Sequence, residues 1–372
     1  MKLLSNNPEI TFDDILLLPQ LSQYDYEEDS KVDIKTKISK KLSIDIPVTS
    51  SPMPGVTEEE MAIAIGKMGG LGFIHSFQSP SRQLEQIKKA KKQKVKVAAT
   101  ITPDLSKTKL QHIENLLKLK TDLICIYTYH SLNIPTIKFI NKVRKKFPNA
   151  QLNTGPIATK KAVQTLSEIG IDSLNVGIGP GSHCTTRLVT GVGRPQLSAI
   201  KECASTAEKY KVPIIAEGGL KTPGDISKAL AFGANAVMIG GMFSGTAEAP
   251  GEIIHKNQKK YKASWGMCSN TAMTYQHLNL LGLNNSFNKI KKLLKYYLRI
   301  NPNSEQIEKL FEEGIEGLIE YKGSVKPIIK RLADGTRRSQ WYQGAENIEE
   351  LQKKAIAVLI TNNTVVENKP RI

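Results

Sequence analysis

The stretch Gly177-Ile178-Gly179-Pro180-Gly181-Ser182-His183-Cys184-Thr185-Thr186-Arg187 gathers a thiol, three hydroxyls and a guanidinium behind three alternating glycines. Glycines at this spacing let the backbone take positive φ and approach a ligand closely, with no side chain in the way. Carbonyls turned inward by such a loop suit a monovalent cation, while its N–H groups and Ser182 suit a phosphate. Cys184 stands on the rim, where its thiolate would reach a bound electrophile. The competing reading is a buried structural cysteine in a glycine-rich turn.

A loop of this kind needs rigid elements behind it. Short apolar runs read as strands over 46–51, 71–76, 95–102, 123–128, 151–155, 173–177, 213–216 and 236–240. Between them lie amphipathic stretches of helical period, among them 57–68, 82–92, 105–117, 134–146 and 159–169. Strands alternating with such helices indicate βα units and a parallel sheet. Eight units predict a closed (β/α)8 TIM barrel with its active site at the C-terminal strand ends. Ser51, Met53, Ser76, Glu217 and the cysteine loop all fall there. So do Gly218-Gly219 and Gly240-Gly241, after the seventh and eighth strands, where barrels commonly hold phosphate on backbone N–H groups.

The cysteine loop, continued by Leu188-Val189-Thr190-Gly191-Val192-Gly193-Arg194-Pro195-Gln196, resembles that of the IMP dehydrogenase/GMP reductase family. The opening Thr11-Phe12-Asp13-Asp14-Ile15-Leu16-Leu17-Leu18-Pro19, expected along the outside or bottom of the fold, resembles it too. The same holds for Glu313-Gly314-Ile315-Glu316-Gly317, Tyr321-Lys322-Gly323-Ser324-Val325 and Trp341-Tyr342-Gln343-Gly344. The resemblance implies one catalytic barrel over 1–372, with a flap-like insertion at 261–314 and a C-terminal tail. A flap helix is expected over 286–300, and a cap for a second at 303–306. It implies that Cys184 attacks C2 of a purine nucleoside monophosphate and that hydride passes to or from NAD or NADP. Thr186 and Glu313 match the pair that shuttles a proton. Carbonyls of Gly179, Gly181 and Cys184 match a potassium site. Ser51, Met53, Ser182, Gly218, Gly219, Gly240 and Gly241 match substrate contacts, and Gly266 and Met267 match the segment reading the purine edge. A homotetramer is implied. Many relatives carry a regulatory CBS pair between the second helix and third strand; Lys92 and Val95 leave no room for one.

Several positions depart from the family pattern. The ribose-binding aspartate is Glu217, and the aspartate gripping the cofactor ribose is Tyr127. The Gly-Asn of the fifth strand is Gly155-Pro156. A basic residue before the loop is Asn175, the aspartate after Ser-x-Met is Pro54, and no Arg-Tyr pair is evident in the flap. Three readings follow: an IMP dehydrogenase-like enzyme, a GMP reductase-like enzyme, and a non-catalytic nucleotide-binding barrel. The wording of the cysteine loop and of 246–252 favours the first. His183 beside the thiol either tunes it or points to solvent, and His75 and His130 read as structural.

With 372 residues, 40% of them hydrophobic, the chain is long enough for a large barrel core. Its formal net charge of +17 comes mostly from lysines, and basic runs such as 88–96 fall on expected helix faces with few aromatics between them. That pattern describes solvated surface better than a nucleic-acid groove. No apolar run is long enough to span a membrane, and residues 1–7 lack a signal-peptide core. Cys125, Cys184, Cys203 and Cys268 have neither metal-type nor disulfide-type spacing. A reduced, cytoplasmic protein is expected.

Overall fold

The computed structural model describes residues 8–25, 31–267, 269 and 315–368. Its centre is a closed barrel of eight parallel strands: Val48–Ser50, Leu71–Ile74, Val97–Ile101, Leu123–Tyr127, Leu152–Ile157, Ser173–Val176, Ile214–Glu217 and Ala236–Ile239. Each pairs with the next, and the eighth closes on the first with Met238 opposite Thr49. All eight expected strands are present, and the (β/α)8 barrel is the fold.

Alternation within the strands explains the two layers of the core. In the fourth strand Leu123, Cys125 and Tyr127 join an inner cluster with Phe73, Ala98, Ile215 and Met238. Ile124 and Ile126 point the other way, into the layer shared with the helices. A period of two with both faces apolar is what a sheet buried on both sides requires.

Helix starts are fixed by short polar side chains. Ser79, Ser106, Asn133, Thr159 and Thr222 each accept a hydrogen bond from the backbone N–H three residues on. Each such cap contributes about 1 kcal/mol and sets where the strand-to-helix loop must end. The basic run 88–96 lies on the exposed side of helix Pro80–Lys92 and just beyond it, with Lys88, Lys89, Lys92, Lys94 and Lys96 exposed.

Outside the barrel, Ile254–Lys256, Lys259–Trp265 and Glu316–Glu320 form a three-stranded antiparallel sheet. Residues 261–265, assigned from sequence to the excursion, are therefore strand, with Trp265 opposite Glu316. The helices expected at 286–300 and after 303, together with Cys268 and Glu313, lie outside the described residues. The opening segment lies outside the barrel, but not at its bottom. Lys228 Nζ donates to the Phe12 carbonyl at 2.9 Å, and the Phe12 ring approaches Gly219 on the C-terminal face. Ile15–Leu17 pairs with Ala357–Leu359, and helix Lys326–Tyr342 packs on helix Pro223–Ala231 so closely that Gly335 leaves no room for a Cβ beside Pro223. Among the described residues no helix is long and apolar enough to cross a membrane.

Candidate active site

The cysteine loop leaves the sixth strand at Gly177. Its φ is +147°, and a Cβ there would lie 1.9 Å from the Glu217 carbonyl oxygen. Only glycine allows that approach. Gln196, fully buried, donates from Nε2 to the carbonyls of Val176 at 2.8 Å and Glu217 at 3.0 Å. This one side chain ties the ends of the sixth and seventh strands together. Arg187 closes the loop on itself, donating to the Ile178 carbonyl at 3.1 Å and to the Arg194 carbonyl.

Within that frame the Cys184 N–H donates to the Gly181 carbonyl at 3.0 Å, and its thiol to Thr186 Oγ1 at 3.2 Å. Burial pushes the Arg187 guanidinium below its ordinary pKa, and the nearby Cys184 sulfur pulls it back up. Cys184 is half-buried, whereas Cys125 and Cys203 are buried. Burial, and behind it Glu202, pushes the Cys203 thiol up to about 12. The structural-cysteine reading thus describes Cys203 and Cys125, and Cys184 has the different environment.

The two glycine pairs meet the loop from below. Gly218 and Gly219 both have positive φ, and a Cβ on Gly218 would lie 2.9 Å from Pro180 Cγ and 3.1 Å from Gly181 N. A Cβ on Gly241 would lie 2.5 Å from Ser182 Oγ, and one on Gly240 3.2 Å from Met53 Sδ and 3.7 Å from Ser51 Cβ. Ser51, Met53, Ser182 and both pairs are therefore brought together at the ends of the first, seventh and eighth strands. Gly266 joins them through its N–H to the Ile315 carbonyl at 3.0 Å, while Ile315 N–H reaches the His183 carbonyl at 3.0 Å. Met267 packs against the Phe77–Trp265 cluster.

The two departures from the sugar contacts touch each other. The Tyr127 hydroxyl, from the fourth strand, donates to Glu217 Oε1 at the end of the seventh. The other oxygen, Oε2, is buried without a partner. Burial raises the Glu217 carboxyl to about 7, against the lowering effect of the Tyr127 hydrogen bond. Below it, burial and the Glu217 charge push the Cys125 thiol well above its usual value. Gly155 lies opposite Tyr127 in register, and a Cβ there would meet Asn175 Cβ at 2.4 Å. Its carbonyl accepts from Ser131 Oγ at 2.7 Å. Gly155 is packed into the barrel wall.

His183, which the sequence leaves either tuning the thiol or facing solvent, has definite partners. Its Nδ1 is 3.1 Å from Ser182 Oγ and its Nε2 2.8 Å from Ser264 Oγ, so the ring does not point to solvent. Lys322 Nζ sits on the carbonyls of Gly241 at 3.0 Å and Met242 at 3.2 Å. A polar residue between Ser182 and Cys184 was the only signal in the sequence for the first; the second stands in the family-like phrase Tyr321-Lys322-Gly323, which gives no sign of its partners. His75 is buried between Glu58 at 3.4 Å and the Phe77 N–H at 3.1 Å, which is a structural role.

Fold and site together define a (β/α)8 barrel that presents a half-buried thiol above paired glycines at the strand ends. The chain belongs to the IMP dehydrogenase / GMP reductase family, whose domain model matches residues 9–371. It is 34% identical to the inosine-5'-monophosphate dehydrogenase of Borreliella burgdorferi, over 97% of this chain and 96% of that one. The enzyme of the same name from Cryptosporidium parvum is 33% identical over 96% and 94% of the two chains. That from Methanocaldococcus jannaschii is 31% identical over 99% and 96%.

Proposed function

We propose that the chain oxidises IMP to XMP with NAD and water, using Cys184 as the nucleophile. The observation that carries this is the half-buried Cys184 thiol, bonded to Thr186 at 3.2 Å on a loop seated over two glycine pairs. The names of the relatives favour the dehydrogenase direction over the reductase one.

In this reading the nucleotide phosphate lies on Gly218, Gly219, Gly240, Gly241 and the Ser182 hydroxyl, next to Ser51 and Met53. Gly266 and Met267 read the purine edge. Cys184 forms a bond to purine C2 as the C2 hydride leaves, giving a covalent purine–cysteine adduct. Water then adds at C2, the C–S bond breaks, and XMP departs. Thr186 Oγ1, beside the sulfur, takes the proton of that water and passes it on, with Glu313 as acidic partner.

A nicotinamide cofactor fits the side of the mouth built by the fourth and fifth strands. There Tyr127 is half-buried at the end of the fourth strand, and Asn175, on the adjoining sixth strand, carries a buried Nδ2 with no acceptor. Tyr127 would hold it without a carboxylate, with Gly155 in the wall behind it. When bound it supplies the hydride acceptor. Potassium fits the neutral carbonyl oxygens of Gly179, Gly181 and Cys184, one lone pair of Gly181 already accepting the Cys184 N–H at 3.0 Å. Three oxygens are fewer than the about six a hard cation gathers, so further ligands come from elsewhere.

We read the assembly as a cytoplasmic homotetramer without a CBS module, since helix Pro80–Lys92 passes to strand Val97–Ile101 through residues 93–96 alone. Sedimentation as a monomer at micromolar concentration would count against the tetramer. The activity is tested by mixing the chain with IMP and NAD or NADP, or with GMP and the reduced cofactors, and following absorbance of the reduced form. IMP-dependent reduction of NAD is expected. GMP-dependent oxidation with release of ammonia moves the reading to a reductase. Nucleotide binding with no turnover in any mixture moves it to a non-catalytic barrel.

A further inference from the structure

Two side chains beside the glycine cradle have no part in the mechanism above. His183 lies between two hydroxyls, Ser182 Oγ at Nδ1 and Ser264 Oγ at Nε2. In a neutral imidazole one ring nitrogen donates and the other accepts, so both serine hydroxyls are held in a fixed sense. Ser182 is the hydroxyl nearest Gly241, and Ser264 belongs to strand Lys259–Trp265, which leads towards residues 268–314. Lys322 comes from the segment after strand Glu316–Glu320 and puts its ammonium on the carbonyl of Gly241 itself. Ser182 and Lys322 thus touch the same glycine.

The charges make this more than a packing detail. Glycine N–H groups and a serine hydroxyl are neutral donors, whereas a phosphate monoester at pH 7 carries close to two negative charges. Hydrogen bonds between charged partners are shorter and about twice as strong as neutral ones. Both recorded acceptors of Lys322 are neutral carbonyls, and no carboxylate among the described residues pairs with it. Lys322 is exposed by surface area, though partial desolvation still disfavours its charged form, and that charge is felt at His183. Two other lysines near the cradle are occupied elsewhere. Lys221 pairs with Asp13 at 3.0 Å, and Lys228 donates to the Phe12 carbonyl.

We propose that Lys322 and His183 complete the phosphate site: Lys322 supplies the cation that faces the nucleotide phosphate, and His183 is a positioning residue that aims the Ser182 hydroxyl at it. This deepens, and rests on, the nucleotide reading above. It also ties phosphate occupancy to Ser264, and so to the strand from which residues 268–314 emerge.

The test is titration of the full chain with IMP, inosine and inorganic phosphate, in wild type, Lys322→Met, His183→Phe and His183→Gln. The informative quantity is the ratio of IMP to inosine affinity, which a loss of general packing would not move. Lys322→Met should lower that ratio by about tenfold or more, since it removes a charge-assisted contact. His183→Phe should lower it by about three- to tenfold, and His183→Gln, which can still bond to a serine on either side, should recover part of the loss. Inorganic phosphate should compete with IMP in wild type and poorly in Lys322→Met. An unchanged ratio in both Lys322→Met and His183→Phe, or equal weakening of IMP and inosine, overturns the proposal and leaves the nucleotide reading standing. Failure of wild type to bind either IMP or phosphate overturns both.

Discussion

The mouth of the barrel has two halves built by different means. On one, the ends of the sixth, seventh, eighth and first strands meet through closely packed glycines: Gly177 on the Glu217 carbonyl, Gly218 on Pro180 and the Gly181 backbone, Gly241 on the Ser182 side chain. On the other, the fourth and fifth strands meet their neighbours through side chains. Tyr127 bonds to Glu217, Asn153 to Asn175 at 2.9 Å, and Ser131 to the Gly155 carbonyl. The first half carries the thiol and the cradle, and its cysteine loop keeps the wording of the family. Most departures from the family pattern gather where the two halves meet, on Tyr127, Pro156, Asn175 and Glu217, and orphaned polar atoms lie there on Asn153, Asn175 and Glu217. Backbone-built sites tolerate change at few positions, because a Cβ has nowhere to go. Side-chain-built ones can exchange one partnership for another.

The largest effect is expected on the first half. Cys184→Ala should lower turnover by about 10⁴-fold or more, as losing a covalent nucleophile does, while nucleotide affinity stays within about threefold. Steady-state rates beside a binding titration check both parts, and undiminished turnover removes the covalent route. Next in size is Gly177→Ala, which forces a side chain into positive φ and onto the Glu217 carbonyl. It should cost about 3 kcal/mol or more in urea denaturation. A loss under about 1 kcal/mol would show that the loop yields at Gly177 despite the close Glu217 carbonyl.

The meeting of the two halves is probed through Glu217, which the second half reaches through Tyr127. Its carboxyl ionises near 4.5 when unfolded and near 7 when folded, so between those values the folded chain holds the extra proton. Stability should therefore fall as pH rises from about 4.5 to 7, by up to about 3 kcal/mol, and the decline should level off above 7. Glu217→Gln should flatten that part of the profile. A profile unchanged by the substitution would mean that the carboxyl is solvated and the Tyr127 partnership weak. The smallest effect concerns the sugar. With Oε1 taken by Tyr127, wild type should separate IMP from 2'-deoxy-IMP by less than about tenfold, and Tyr127→Phe should widen the gap by freeing the oxygen. Strong ribose preference with tight NAD binding in wild type would show that the familiar contacts survive the substitutions.

The same contrast explains what could be read from sequence. Eight apolar runs with capped helices between them place the barrel, and glycine spacing places the thiol and cradle, because both signals are local. The fifth strand was expected to stop at Gly155, since proline gives no N–H to a ladder. It continues to Ile157 because its pairing with the sixth shifts register between Thr154 and Ile157. Lys259–Trp265 was missed because a lysine in mid-strand hides the alternation. Lys262 is 4% exposed and satisfies its ammonium on the Ala247 and Ala249 carbonyls. Tyr127 and Glu217 are ninety residues apart, and no local pattern says that one has the other as its partner. His183 shows the same limit, its second hydroxyl coming from Ser264 on a distant strand.

Everything proposed for this chain turns on Cys184 bonding to the substrate. The direct test mixes the chain with IMP and NAD, quenches with acid during turnover, and measures the mass of the peptide containing Cys184. A purine nucleotide adduct on that peptide, absent from Cys184→Ala and absent when NAD is omitted, is the expected result. IMP-dependent NAD reduction that continues with the Cys184 peptide unmodified, and persists in Cys184→Ala, would contradict it.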